Sequence, residues 1–181
     1  MAPHFHKHIR LPGRDYTQGA YFVTLCVWER ANIFGRIVGS GTNAVMELND
    51  AARIVDECWN TIPDHFPYAR LDQTRIMPDH LPAILILTPS SSNAGVPSTQ
   101  WVDPSGTPNR THARPNGPMR GSLGAIIAAF KSETTKRVNR LRDVTGQRLW
   151  QPGYYERAIR RQGGEYGRIA QYIAENPSNW R

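Results

Sequence analysis

The feature that most constrains the fold is the run AYFVTLCVWE at residues 20–29, which carries aromatic and β-branched side chains with no glycine or proline. Such residues pack well on a pleated surface, so the run predicts a strand at the centre of a sheet. The rest of the chain must then supply neighbouring strands and covering helices. Residues 34–38 and 44–47 flank the turn-like GSGTN and predict a short edge hairpin. Residues 68–77 and 81–88 predict two more strands, joined through Pro78 and Asp79. Leu48, Ala52, Val55, Trp59 and Ile62 recur at helical spacing, with Asn49 placed to cap the helix and Pro63 to end it. Leu123, Ile126, Ile127, Phe130, Val138 and Leu141 mark the buried stripe of a longer helix. A last helix is expected after Gly163 and Gly164, ending before Pro177.

Short strands alternating with helices predict an α+β fold: a ferredoxin-like antiparallel sheet with helices packed on one face. The length of 181 residues suits one domain, read as residues 15–181 behind an amino-terminal tail at 1–14. Residues 89–121 are crowded with Pro, Gly, Ser, Thr and Asn, and predict a flexible loop. That loop is either a surface insertion or an arm over a substrate, and Arg110, His112, Arg114 and Arg120 give it a basic end.

No apolar run is long enough to span a bilayer, and the start MAPHFHKHIR lacks the apolar centre of a secretory signal, so the expected location is cytoplasmic. His4, His6 and His8 alternate there, but nothing nearby would order three imidazoles around an ion. Two cysteines, Cys26 and Cys58, cannot build a disulfide framework or a cysteine zinc site. The net charge of +7 favours a polyanionic partner. Lys131, Lys136, Arg137, Arg140 and Arg142 form a basic face on the long helix, and Arg157, Arg160, Arg161 and Arg168 follow towards the carboxyl terminus. Each is a candidate phosphate contact, and each could equally be a solvated surface cation.

Several stretches, taken in order, resemble the REP-associated tyrosine transposases and their single-tyrosine HUH relatives among the insertion-sequence transposases. They are YFVT at 21–24, Phe34 with Gly35, IMPDHLPAILI at 76–86, FKS at 130–132, WQPGYYERAIR at 150–160 and YIAENPSNW at 172–180. The resemblance implies a protein that binds single-stranded DNA bearing hairpins or repeats, as a monomer or homodimer, and cleaves and rejoins it through a covalent phosphotyrosine. It also implies a magnesium or manganese ion held by two histidines separated by one residue on a strand. Side chains two apart on a strand share a face, so both imidazoles can meet one ion.

Here the motif reads His80, Leu81, Pro82, and proline offers no ligand atom. Proline in a strand also removes a ladder donor, which predicts an edge, a strand start or a bulge at this point. A weakened ion site would have to draw on His80 with an oxygen from Asp79 or from the last helix, where Asn176 is the candidate. The resemblance assigns the nucleophile to Tyr172. Phenols titrate near 10, so such a group needs help from a cation or a base to attack at neutral pH. Glu165, Arg168, Tyr172 and Asn176 follow one another at spacings of three and four beside the apolar stripe of Tyr166, Ile169 and Ile173. Tyr154 and Tyr155 are rival nucleophiles in an expected aromatic turn. The alternative reading is a catalytically impaired DNA-binding relative that lost its second metal ligand.

Overall fold

The computed structural model describes residues 16–89, 121–160 and 164–180. The amino-terminal histidines, the cations expected at 110–120 and Arg161 lie outside the described residues. The chain forms β1 (Gly19–Cys26), β2 (Gly35–Val38), β3 (Val45–Leu48), α1 (Asp50–Asn60), α2 (Ile62–His65), β4 (Ala69–Thr74), β5 (His80–Leu87), α3 (Leu123–Leu141), β6 (Tyr155–Ala158) and α4 (Glu165–Glu175). Strands β4-β5-β1-β6 make one antiparallel sheet, and β2 with β3 makes a separate hairpin. Numbering only the main-sheet strands along the chain, the order from the β6 edge is 4-1-3-2, which is ferredoxin-like.

The alternation of β1 decides what lies on each side. Tyr21, Val23, Leu25 and Val27 are buried, and with Leu81, Ala83, Leu85 and Leu87 of β5 they meet Val55, Trp59, Ile126 and Phe130 from α1 and α3. These two helices share one face, as the apolar spacing predicts. Asn49 caps α1 by accepting from the Ala52 N–H at 3.0 Å, and Ser122 caps α3 by accepting from Ala125 N–H at 3.3 Å. The opposite face carries a smaller cluster of Ile84, Ile159 and Ile173, with Phe22, Ile86, Ile169 and Ala170 against it. Helix α4 therefore covers the other side of the sheet, and the one-sided arrangement holds only for α1 and α3. Strand β5 is hidden on both faces as a result.

Three local expectations are corrected. The first strand ends at Cys26 rather than reaching position 29, because Glu29 and Arg30 adopt left-handed φ values of 55° and 57° in a 3₁₀ turn. Pro63 does not terminate α1, which stops at Asn60; it sits in the first turn of α2, where a missing N–H costs nothing. The segment around Tyr155 is not a turn but strand β6, paired with β1 through Phe22↔Arg157 and Thr24↔Tyr155.

Candidate functional site

His80 opens β5 opposite Cys26 of β1, on the face that α4 covers. Its Nδ1 donates to the Asp79 carboxylate at 2.6 Å, which fixes the ring and leaves Nε2 as the other ring nitrogen. The second Asp79 oxygen receives Arg30 Nε at 2.7 Å, and Arg30 Nη1 reaches Cys26 Sγ at 2.9 Å. Arg30 thus ties the turn after β1 to the start of β5. Two successive non-glycine residues with positive φ are uncommon and cost on the order of 1–3 kcal/mol each. Here they deliver a guanidinium beside the imidazole. The sequence carried no periodic signal for Arg30; only the fold brings it to Asp79.

Pro82 faces the same way as His80, two residues on. Its carbonyl accepts from Arg75 N–H at 3.1 Å, so its ring nitrogen is also turned towards β4. That ladder is irregular there: Leu71 pairs with Leu85 but Thr74 with Ala83, which leaves an extra residue in β4. The donor that proline cannot supply is missing where the pairing is already bulged, as expected for proline in an interior strand. On the β1 side, the register through Thr24↔Pro82 is unbroken.

Helix α4 and the 3₁₀ turn after it travel along this face towards the His80 end. Glu165 anchors the start by accepting from Arg157 at 2.5 Å and from the Arg160 backbone N–H at 2.9 Å. The Arg160 N–H, with the neighbouring guanidinium of Arg157, holds the Glu165 carboxyl below its usual range despite the opposing effect of desolvation. Tyr166 donates to Asp72 on β4, which raises its phenol. Tyr172 lies edge-on to Phe22 with ring centres 6.0 Å apart, and Tyr155 also meets Phe22 at 6.0 Å. Tyr172 remains 51% exposed. At the far end Trp180 stacks on His80, with centroids 5.9 Å apart and planes 19° from parallel. Tyr172 and His80 therefore share one face, with Phe22 and Cys26 as their respective β1 neighbours. Those residues are four apart, about 13 Å along the strand. Asn176, between Tyr172 and Trp180 in the chain, is buried, and its Nδ2 has no hydrogen-bond partner.

The side chains do not fit the divalent-ion site that the family resemblance implies. Position 82 gives no donor, and both Asp79 oxygens are engaged by His80 and Arg30. Among the described residues no group of three His, Cys, Asp or Glu side chains is placed to hold a metal ion. Asp79 orients the His80 ring and is itself held by Arg30.

The basic candidates divide into two groups. Arg157 and Arg160 lie on β6 and just after it, and Arg168 on α4 one helical turn before Tyr172, although Arg157 is held by Glu165. Lys131, Lys136, Arg137 and Arg140 lie on α3, across the sheet. Arg137 is held against α1 by Glu57 at 2.5 Å and by Cys58 Sγ at 3.3 Å. Lys131 donates to the Gln151 carbonyl at 2.9 Å and to the Gly153 carbonyl. Lys136 and Arg140 are exposed. The candidate phosphate contacts thus fall on two surfaces separated by the sheet.

No family model matches the chain. A Haemophilus influenzae protein of uncharacterised function is 31% identical over 179 residues, covering 98% of this chain and 91% of its own length. A solved REP-associated tyrosine transposase, bound in that structure to a REP hairpin, superposes with a TM-score of 0.58 at 15% identity, covering 94% of this chain and 74% of that one. The motif resemblance is borne out at the level of fold. The chain belongs to one family with the Haemophilus influenzae protein and is built on the fold of the REP-associated tyrosine transposase.

Proposed function

We propose that this chain is a transposase-like protein that binds single-stranded DNA carrying a hairpin or repeat and attacks one strand with Tyr172. In that step the Tyr172 oxygen forms a bond to phosphorus, the bond from phosphorus to the 3′ oxygen breaks, and the phenol proton is released as the strand leaves with a 3′ hydroxyl. The observation that carries the reading is the position of Tyr172: half exposed, on the sheet face that also bears His80, in a fold shared with a tyrosine transposase that binds a hairpin. Asn176 adds to it. A buried amide N–H without a partner, one helical turn from the phenol, suits a phosphate oxygen better than a cation. Arg168, exposed on α4 one helical turn before Tyr172, supplies positive charge, while that of Arg30 is met by Asp79. No step is routed through a divalent ion, because the donor set does not fit one.

A second reading is favoured by Pro82 and by the stacking of Trp180 over His80: a protein that holds the hairpin without cutting it. One experiment separates the two. Purified protein is incubated with single-stranded hairpin DNA, with and without manganese, and covalent adducts are resolved on a denaturing gel. The proposed function predicts an adduct that Tyr172→Phe abolishes while DNA binding persists. Binding with no adduct in the parent protein favours the second reading. An adduct that appears only in Pro82→His with manganese would show a scaffold whose ion site had been lost.

A further inference from the structure

A cleft of about 430 Å³ lies between α3 and the segment at residues 148–153. It is unrelated to the face that carries Tyr172 but is tied to the same end of the sheet as His80. Trp28 N–H donates to Leu149 O at 2.8 Å, and Gln151 N–H donates to Cys26 O at 2.9 Å, Cys26 being the residue paired with His80. Three cations line the cleft, Lys131, Lys136 and Arg148, with the Ser132 hydroxyl and the Trp150 ring beside them. None of its lining residues is acidic. Among the described residues, no carboxylate is paired with any of these cations.

The way each cation is held bears on what it can bind. Lys131 has two N–H groups committed to the carbonyls of Gln151 and Gly153 and lies 5.9 Å from the centre of the Tyr154 ring, so its contacts are neutral groups and no carboxylate offsets its charge. Burial pushes its ammonium down to about 8, so it is still largely charged at neutral pH. Arg148 lies over the Trp28 ring, 4.9 Å from its centre, an arrangement that orients a guanidinium without using its in-plane donors. Lys136 is exposed at the rim. A desolvated ammonium with two exposed cations beside it and no acidic neighbour makes a local positive field that favours an anion. The nearest polyanion consistent with the proposed function is the DNA strand itself.

We infer that this cleft is a phosphate site for the single strand, contacted by Lys131, Lys136 and Arg148 and separate from the Tyr172 face. The inference rests on the reading that the chain binds single-stranded DNA. It makes the strand pass around the β1–β6 side of the sheet at the His80 end, so that one DNA molecule meets both basic groups at once.

The test is fluorescence anisotropy with a labelled hairpin bearing a single-stranded tail, measured across a salt series. The paired substitution Lys136→Glu with Arg148→Glu should weaken binding roughly tenfold or more, and it should flatten the dependence of log affinity on log salt by about 1.4, since each single-strand phosphate contact contributes about 0.7. The neutral pair Lys136→Gln with Arg148→Gln should flatten the slope similarly with a smaller loss. Both residues are exposed, so thermal melts should match the parent. A control of equal charge change, Arg53→Glu with Arg70→Glu at exposed positions on α1 and β4, should have the smaller effect. If the control pair weakens binding as much, or the cleft pair leaves affinity and slope unchanged, the cleft is not a phosphate site, while the functional reading stands. If the parent binds no single strand at all, both fall together.

Discussion

Arg30 is the residue that joins most of the site, because its guanidinium spans Asp79 and Cys26 while Asp79 orients His80. Asp79 is only 4% exposed, so deleting its cationic partner leaves a buried carboxylate with the imidazole as its main support. Arg30→Ala should therefore destabilise the fold by about 1–3 kcal/mol, read by urea denaturation. Arg30→Gly should cost less than Arg30→Ala, because glycine tolerates the left-handed φ of 57°. Equal stability of Arg30→Ala and the parent would mean that the ion pair does not hold the turn.

A different consequence follows from Lys131. Its folded value of about 8 lies below its ordinary 10.5, so between those pH values the unfolded chain binds more protons than the folded one. Stability from this group therefore rises with pH from about 8 towards 10.5. Burial pushes the Cys58 thiol the other way, to about 11, so its contribution declines above 9. The window from pH 8 to 9 isolates the lysine. Over it the parent should gain stability relative to Lys131→Met, and parallel profiles would contradict the burial of that charge.

At the scale of elements, α4 is held differently from α1 and α3. The two long helices share the main core with β1 and β5, whereas α4 rests on the small cluster around Ile84 and Ile173 and on polar contacts in its first turn. Ile173 is 1% exposed, and Ile173→Ala should cost about 2–4 kcal/mol by truncation of a buried side chain. Because the cluster is separate, the loss should fall first on α4 docking: hydrogen exchange should quicken for α4 amides while β1 and β5 amides stay protected. Uniform loss of protection would show that α4 belongs to the main folding unit.

The difference between the two kinds of helix also sets how far each could be read from the sequence. Helices α1 and α3 were legible because Val55, Trp59, Ile126 and Phe130 fall on a wide apolar stripe behind capping residues. Strand β6 was not, because four residues at a sheet edge, none of them buried, are too few to show a clear apolar period, and Tyr154 and Tyr155 read equally well as a turn. Pro82 was legible as a broken ladder, and the bulge in β4 is where the structure places the break. That α4 lies on the opposite face could not be read, since its apolar stripe fits either side of a sheet.

For the molecule as a whole, the sheet separates two basic surfaces, one around Tyr172 and one on α3. No described helix is long and apolar enough to cross a membrane. The sequence placed His80, Tyr172 and Asn176 in one hypothetical site. The fold puts His80 and Tyr172 on one face but about four strand residues apart, roughly 13 Å. What lies over the imidazole, Trp180, comes from tertiary convergence of distant segments and has no signature in spacing. The same holds for the Arg30 contact. A strand of DNA bound across this face would have to reach Tyr172 at one end and the Arg30–Asp79–His80 group at the other.

The most direct measurement of the central claim is peptide mass spectrometry of the protein after incubation with hairpin-bearing single-stranded DNA and nuclease digestion. The account predicts a covalent nucleotide on Tyr172. A protein that binds the DNA yet carries no nucleotide there, or carries it on Tyr155 instead, would contradict it.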